Sequence, residues 1–373
     1  MKSPVSVVKC NSYESALVEE AVKKGVGLIG GIPAYIKPAS RVLVKPNLLM
    51  AKEPECGIDT HPEVVRAVIK ILKEINCQIF VGDGPSIWDK QAENVDKVYE
   101  RSGIKRVCQQ ENVSLVEFNK RRWRGKFPLT SWLDDCDYLL NVPKLKTHEL
   151  TVLTCAIKNL FGLVSGTYKT ELHKKYFDKE DFAGILVDVY QEAKPALTIV
   201  DGITAMEGDG PATGGKLRSL NLLFASPDAV SVDSVAALIM GFNPLDILTT
   251  KEAAKRGLGI ADTNSIEILG EKLEELRIEP FLLPVTSSLR KNIPRPIINL
   301  AKKLIKYYPY VQRDNCIRCA ACIEACPNQA ISMKNKRPIF DYSKCIACFC
   351  CQEACPASAI KVKKSPLAKI LGF

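Results

Sequence analysis

The sequence predicts a mostly parallel α/β domain followed by a small cysteine-rich α+β domain. Three observations lead there. Short apolar runs alternate with segments of helical periodicity over the first three-quarters of the 373 residues. Several of these runs stop at Pro, Gly, Asn or Asp, as strands entering turns do. Nine of the 15 cysteines fall between Cys316 and Cys355, beyond the alternating part.

PVSVV near the N-terminus reads as a first strand. RVLVKPNL (41–48) is a β-branched, buried strand ended by Pro46. HPEVVRAVIKILKEI (61–75) places Val64, Val65, Val68, Ile71, Leu72 and Ile75 at helical spacing, with Pro62 near the first turn. QIFVGDGPS (78–86) is a strand closing on Gly-Asp-Gly. Residues 95–103 read as a short helix, and 107–118 as a strand, VSLVEF. RRWRGK (121–126) is a basic run on a loop. DYLLNVPKLKTH (137–148) is a strand entering a Pro-Lys loop, and VLTCAIKNLFG (152–162) a helix. FAGILVDVYQEAKP (182–195) is a helix stopped by Pro195. ALTIVDGIT (196–204) and SLNLLFASPD (219–228) are strands, VSVDSVAALIMGF (230–242) a helix and SIEILG (265–270) the last strand.

With 46% hydrophobic and 25% charged residues the chain is neither disordered nor collagen-like. No run of ~18 apolar residues implies a membrane span, and the first 20 residues lack the apolar core of a signal peptide. A cytoplasmic location is therefore expected. The net charge is +10, and it is concentrated: from Thr286 onward stand 16 Lys/Arg against 4 Asp/Glu. Such a region can meet nucleic acid, anionic lipid or an acidic protein, or offset negative charge held within it.

The cysteines favour the last option. CIRCAACIEACP (316–327) and CIACFCCQEACP (345–356) are each Cys-x2-Cys-x2-Cys-x3-Cys-Pro, 29 residues apart. Two-residue gaps let three thiolates from one loop converge on a cubane. In paired motifs the fourth cysteine ligates the other cluster. Cys316, Cys319, Cys322 and Cys355 are thus expected to hold one 4Fe–4S cluster, and Cys345, Cys348, Cys351 and Cys326 a second. Zinc ribbons need only two Cys pairs. Cys350 has no place in the pattern and reads as packing beside the cluster. The run resembles the bacterial two-cluster ferredoxin module over about residues 311–363, which implies a small α+β ferredoxin-type iron–sulfur domain. Cys10, Cys56, Cys77, Cys108, Cys136 and Cys155 lack ligand spacing and read as small buried hydrophobes. The clusters' own negative charge weakens a nucleic-acid reading, and no RNA-binding or zinc-finger signature supports it.

In the larger part, strand ends deliver polar groups: Lys45 and Asn47; Asp83; Asn141, Lys144, Lys146 and His148; Asp201. Open α/β sheets bind ligands beyond the carboxyl ends of their strands. Lys45, Lys144, Lys146 and Lys158 are the expected clamp for an anionic small molecule, with Asn159 beside Lys158 and His148 as proton donor. Glu207 and Asp209 add carboxylates beside Asp201, able to bind a divalent cation, act as acid/base or simply be solvated. Gly210-x4-Gly215-Lys216 imitates a phosphate loop, but Leu217 stands where Ser or Thr is required.

KPNL (45–48), residues 141–162, VDGITAMEGDGP (200–211) and SPDAVSVDSVA (226–236) together resemble the domain of unknown function 362 family. That resemblance spans about residues 5–270. It implies iron–sulfur redox work in anaerobic or microaerophilic metabolism, without a settled reaction. Within it, Asp228 reads as a helix N-cap. The expected organisation is an α/β domain over 1–280, a linker and connecting helix over 281–310, the ferredoxin-type domain over 311–363 and a tail over 364–373. Ile297, Ala301, Leu304, Ile305 and Tyr308 would share one helix face, packing the domains together or touching a membrane surface. Function is expected to be electron transfer through two 4Fe–4S clusters to an anionic substrate in the crevice. The alternatives are an electron carrier between protein partners, or an anion-binding protein with structural clusters.

Overall fold

The computed structural model describes residues 2–85, 95–164, 168–176, 178–276, 278–286 and 307–365. Its larger part is built on one ten-stranded sheet. Strands β1 (Ser3–Lys9), β2 (Arg41–Pro46), β3 (Gln78–Val81), β4 (Ser114–Leu115), β7 (Tyr138–Val142), β10 (Leu197–Gly208), β11 (Gly215–Ser226) and β12 (Ile266–Gly270) run in the order β12-β1-β11-β10-β7-β2-β3-β4. Along this path pairing is parallel except around β11, which lies antiparallel to both β1 and β10. The fold is therefore a mostly parallel α/β sheet domain, as the alternation implied.

Two apolar cores cover the two faces, and the strands supply them alternately. Val5, Val7, Leu43, Phe80, Leu139, Val200 and Phe224 enter one core; Val8, Val42, Val44, Ile79, Val81, Leu140 and Ala225 enter the other. This is the two-residue period of a strand buried on both sides. Helices α1 (Ser15–Leu28), α2 (Pro62–Lys73), α3 (Val95–Arg101) and α4 (Ile104–Gln110) contribute to the second core. The first core is completed by α8 (Lys179–Ala193), α9 (Ala229–Ile239) and α10 (Leu248–Lys255).

Several local expectations are corrected. The Pro-Lys "loop" is a strand, β8 (Lys144–His148), which pairs with β10 and with β9 (Val152–Thr154). Pro143 only interrupts it; its carbonyl still accepts Asp201 N–H at 2.9 Å. The helix read from 152 begins only at α6 (Ala156–Asn159) and tightens into a 3-10 turn, Leu160–Leu163. Residues 107–110 belong to α4, leaving two strand residues of the expected 107–118. RRWRGK is not a loop but β5 (Arg121–Arg124) turning at Gly125 into β6 (Phe127–Thr130). A short helix α5 (Trp132–Asp135) follows, and α7 (Tyr168–Lys175) precedes α8. Of the six scattered cysteines, Cys10, Cys108 and Cys155 are buried, but Cys56 is exposed.

The small domain is bounded by β13 (Tyr307–Val311), which pairs antiparallel with β16 (Ile360–Lys364). Tyr308 is thus in a strand rather than on the connecting helix. Ile297, Ala301, Leu304 and Ile305 lie outside the described residues, as does the tail from 366. Between β13 and β16 stand α11 (Ala321–Glu324), the hairpin β14 (Ile331–Lys334)–β15 (Arg337–Phe340) and α12 (Cys350–Glu353).

A buried ion pair locks the strand ends. Lys45 Nζ lies 2.6 Å from Asp83 Oδ1, both side chains being almost wholly buried. Gly162 packs against this pair; a Cβ there would strike Asp83 Oδ1 and come within 2.7 Å of Lys45 Nζ. Asp83→Ala leaves the Lys45 ammonium buried without its counter-ion. It is expected to lower the unfolding free energy by about 3–5 kcal/mol. Anaerobic urea denaturation followed by tryptophan fluorescence reads this. A loss below about 1 kcal/mol, the range of an exposed pair, would refute the argument.

Candidate functional site

The crevice lies beyond the carboxyl ends of β2 and β3. A small cavity of ≈ 60 Å³ there is lined by Asn47, Asp83, Gly84, Lys146, Thr154, Lys158, Asn159 and Lys169 of the large domain, and by Glu353 of the small one. Lys158 is half-buried and has no hydrogen-bond or ion-pair partner among the described residues. Its ammonium is disfavoured by burial and supported by Glu353 and Cys350, so its pKa falls below that of an ordinary lysine. Lys169, from α7, reaches the Gly84 carbonyl, and burial pushes its pKa down to about 8. Lys146 donates to the Ile58 carbonyl at 2.6 Å. Burial lowers Lys146 to about 7 and raises its neighbour Asp59 to about 7. Asn47 Oδ1 and Thr154 Oγ1 are buried there with no partner among the described residues. Three ammonium groups and the unsatisfied Thr154 hydroxyl around one cavity suit a small anion.

The helix carrying Lys158 is held by a distant acid. Asp233 of α9 is buried and accepts the N–H of Ala156 at 2.6 Å and of Ile157 at 3.1 Å. Asp228 caps α9 itself, accepting from Val230 N–H at 2.8 Å, as the N-cap reading expected.

Other expected site residues have structural partners instead. Lys144 Nζ lies 2.8 Å from Asp201 Oδ2 and 2.7 Å from Tyr13 Oη, and Asp201 also accepts His61 N–H. The crevice therefore loses Lys144 and Asp201. Lys45 is spent on Asp83 and on Asn159 Oδ1 at 3.2 Å, and Asn159 Nδ2 donates to Asn141 Oδ1 at 2.8 Å. Asn141 is fully buried and does not line the cavity. Glu207 pairs with Arg218 at 2.9 Å, and Asp209 accepts Val285 N–H at 2.8 Å. Asp201, Glu207 and Asp209 thus do not converge on a divalent-cation site. Lys169 and Glu353 were missed. Lys169 sits in a polar helix with no motif, and Glu353 lies inside a cysteine motif whose only spacing signal is that of the cysteines.

His148 is not a crevice group. Its Nδ1 accepts Leu150 N–H at 3.0 Å and Thr151 N–H at 3.4 Å. The neutral ring then carries its proton on Nε2, 3.2 Å from Glu353 Oε1 but off a good hydrogen-bond line. Burial, then Lys158, pushes its pKa down to about 4. It is a neutral contact under the small domain.

That domain docks over the crevice through α12. Gln352 Nε2 donates to Glu149 Oε1 at 3.3 Å. Thr213 donates to the Cys355 carbonyl at 2.9 Å, and Lys52 to the Pro356 carbonyl at 3.2 Å. The eight motif cysteines surround two cavities. One is lined by Cys316, Cys319, Cys322 and Cys355, the other by Cys326, Cys345, Cys348 and Cys351. Each cavity thus takes its fourth cysteine from the other motif. Arg318, Ala320, Ala347 and Phe349 flank the second cysteine of each motif and are all left-handed, with φ between 55° and 65°. Such residues are strained by about 1–3 kcal/mol each, and here they turn successive thiols to one side. Ala330 N–H and Ala359 N–H donate to Cys326 Sγ and Cys355 Sγ, both at 3.2 Å. Among the described residues no three His, Cys, Asp or Glu converge on a point as a single ion requires. Quartets around a cavity fit a cubane cluster better than zinc.

These features define an α/β domain coupled to an iron–sulfur domain, and comparison with known proteins agrees. The family model described as domain of unknown function (DUF362) matches residues 42–238, and one described as a 4Fe-4S dicluster domain matches 308–356. A "Thylakoid-associated protein sll1697" from Synechocystis sp. is 34% identical over 270 residues, covering 70% of this chain and 82% of its own. The chain belongs to the DUF362 family and carries an iron–sulfur cluster-binding domain at its C-terminal end. Among solved structures, the lactate racemase apoprotein of Thermoanaerobacterium thermosaccharolyticum aligns with a TM-score of 0.41 at 11% identity, over 64% of this chain and 57% of that one. A Thermotoga maritima protein aligns with a TM-score of 0.34 at 11% identity, over 53% and 52%. Among the described residues no helix is long and apolar enough to cross a membrane.

Two outcomes follow from this geometry. Removing iron leaves the left-handed turns without the ligation that holds them. Limited proteolysis of the chelated protein is expected to cut within 307–365 while the strands and helices of the large domain stay protected; equal protection of both would contradict this. Glu149 is raised to about 7, chiefly by burial. Between its ordinary pKa and 7 the folded state holds a proton that the unfolded state has lost, so stability falls as pH rises through that window. Glu149→Gln is expected to flatten this dependence in thermal melts at pH 5 and pH 8.

Proposed function

We propose that this protein is an iron–sulfur reductase. Two 4Fe–4S clusters, one held by Cys316, Cys319, Cys322 and Cys355 and the other by Cys345, Cys348, Cys351 and Cys326, supply electrons singly. A small anionic substrate binds among Lys146, Lys158 and Lys169 and receives them. The observation that carries this reading is Glu353. It lies two residues from Cys351 and Cys355, and its side chain lines the lysine cavity. One short helix thus connects the cluster ligands to the anion site. Covalent fusion makes delivery intramolecular.

The lysines have two tasks. They bind the anion in its ground state, and they stabilise the negative charge it gains on reduction. The Thr154 hydroxyl donates a hydrogen bond that orients it, and Asn47 Oδ1 accepts from any N–H or O–H the substrate carries. The interface over α12 keeps bulk water from the path between ligands and substrate. Lys146 and Lys169, with pKa values of about 7 and about 8, are also protonated groups able to give up a proton near neutrality.

The test is re-oxidation of the anaerobically reduced protein, followed by cluster absorbance, with fractionated metabolite extract as acceptor. A small-molecule fraction is expected to re-oxidise the native protein. Lys158→Met and Lys169→Met are expected to slow this at least about tenfold with iron content unchanged. If only protein fractions accept electrons, and both variants behave as native, the protein is a carrier and the crevice is not an active site. Because the anion needs ammonium groups, re-oxidation should weaken as pH rises through 7–8, where Lys146 and then Lys169 lose their protons. Lys146→Arg should move the decline to higher pH; an unshifted profile would exclude Lys146.

A further inference from the structure

The two cysteine motifs face different surroundings. The second is turned inward: Cys350, Cys351, Gln352 and Glu353 are all buried, against the large domain's Glu149, His148 and Lys158. The first is turned outward. Cys319 is exposed, and Ile317 beside it is 64% exposed. Ile317, Arg318 and Met333 form part of the wall of the cavity bounded by Cys316, Cys319, Cys322 and Cys355. One layer of side chains therefore separates that cavity from solvent.

The same layer has an unusual surface. Ile317 and Met333 are exposed apolar residues, at 64% and 40%, while Ile339 pairs with Ser332 on the other face of the hairpin. Arg313, Arg318, Lys334, Lys336 and Arg337 stand on the same two segments and are all exposed. Only Asp314 and Glu324 oppose them in residues 307–324 and 331–340. An apolar centre with a basic rim fits a partner with an apolar centre and an acidic rim. Electron-transfer encounters of this kind are small and transient, so a few apolar residues suffice.

We propose that this face is the docking surface for an acidic one-electron carrier protein, which delivers electrons at the Cys316–Cys319–Cys322–Cys355 end. The inference rests on the two-cluster reading and adds a polarity to it: electrons arrive at the exposed quartet and leave through the buried second motif toward the crevice. The step is a simple exchange. A reduced donor centre loses one electron and the oxidised 4Fe–4S cluster gains it; no bond or proton changes hands.

The experiment uses the anaerobically purified full chain and, as probe, an acidic [2Fe–2S] ferredoxin. Stopped-flow absorbance gives the second-order rate of electron exchange, measured in whichever direction runs downhill. The native rate is expected to fall steeply with added salt, as charges on the two surfaces are screened. The Lys334→Glu/Lys336→Glu/Arg337→Glu variant contains no cysteine change and sits on an exposed hairpin. Its rate at low salt is expected to fall at least about tenfold. Ile317→Glu should do the same, with iron content and dithionite reduction unchanged in both. Lys255→Glu/Lys272→Glu, which alters exposed lysines of the large domain, should keep the native rate. Native rates in both small-domain variants, an equal loss in the large-domain control, or no exchange by the native protein would each overturn the proposal. No crevice substrate is present in this assay, so its failure is separable from failure of the reductase reading.

Discussion

The crevice depends on how the fold deals with lysines that its strands carry into the interior. A buried ammonium is tolerated only with a counter-charge and hydrogen bonds. Lys45 has both: Asp83 at 2.6 Å and Asn159 Oδ1 at 3.2 Å. Asn159 in turn holds Asn141, whose Nδ2 donates to the Ala156 carbonyl at 3.0 Å. The short helix α6 is thus tied to β2 and β7 by polar side chains, and Asp233 supplies the acceptors for its first N–H groups. Lys144 and Asp201 make the equivalent lock on the next strand, with Tyr13 bridging them. These two pairs fix the wall from which Lys158 projects. A neighbouring Cβ at Gly162 would force the first pair apart, so the chain comes closest where no side chain stands.

What remains positive is then concentrated. Lys146, Lys158 and Lys169 come from β8, α6 and α7, and none has the strong carboxylate partner that Lys45 and Lys144 have. Glu353, brought from the small domain, is the acid that Lys158 senses most strongly. The docking surface is therefore electrostatic as well as steric: the domain with the cysteine quartets approaches the place where the large domain is least neutralised. Reduction of a bound cluster adds negative charge near those lysines, which favours it.

The two-fold repetition in the small domain was the most legible feature of the chain. Cysteine spacing requires thiols on one side of a turning loop, and the structure answers with left-handed residues at matching positions in both motifs. The α/β alternation was legible too, because period-two and period-3.6 patterns differ plainly. The lysine-rich segment was not. KLKTH reads as a polar loop, since lysine is a poor strand former. It forms β8 because its alternate residues Leu145 and Thr147 are buried opposite Lys144, Lys146 and His148, which places three polar residues on one face. Among lysines in the same sequence neighbourhood, the pattern offers no way to tell a paired one from a free one.

By itself the sequence determined the local chemistry: which cysteines stand at ligand spacing, which runs are strands, and that acids and lysines gather at strand ends. These depend on residues a few positions apart, where covalent geometry limits the outcomes. Tertiary structure alone decided which lysines are neutralised, that Glu353 joins the crevice, and that the second motif faces inward while the first faces out. Those outcomes rest on contacts between residues up to 304 positions apart, such as Gln352 with Glu149, 203 apart, and Lys52 with Pro356, 304 apart. Nothing in the local sequence encodes such a distance; it is set by the packing of whole elements.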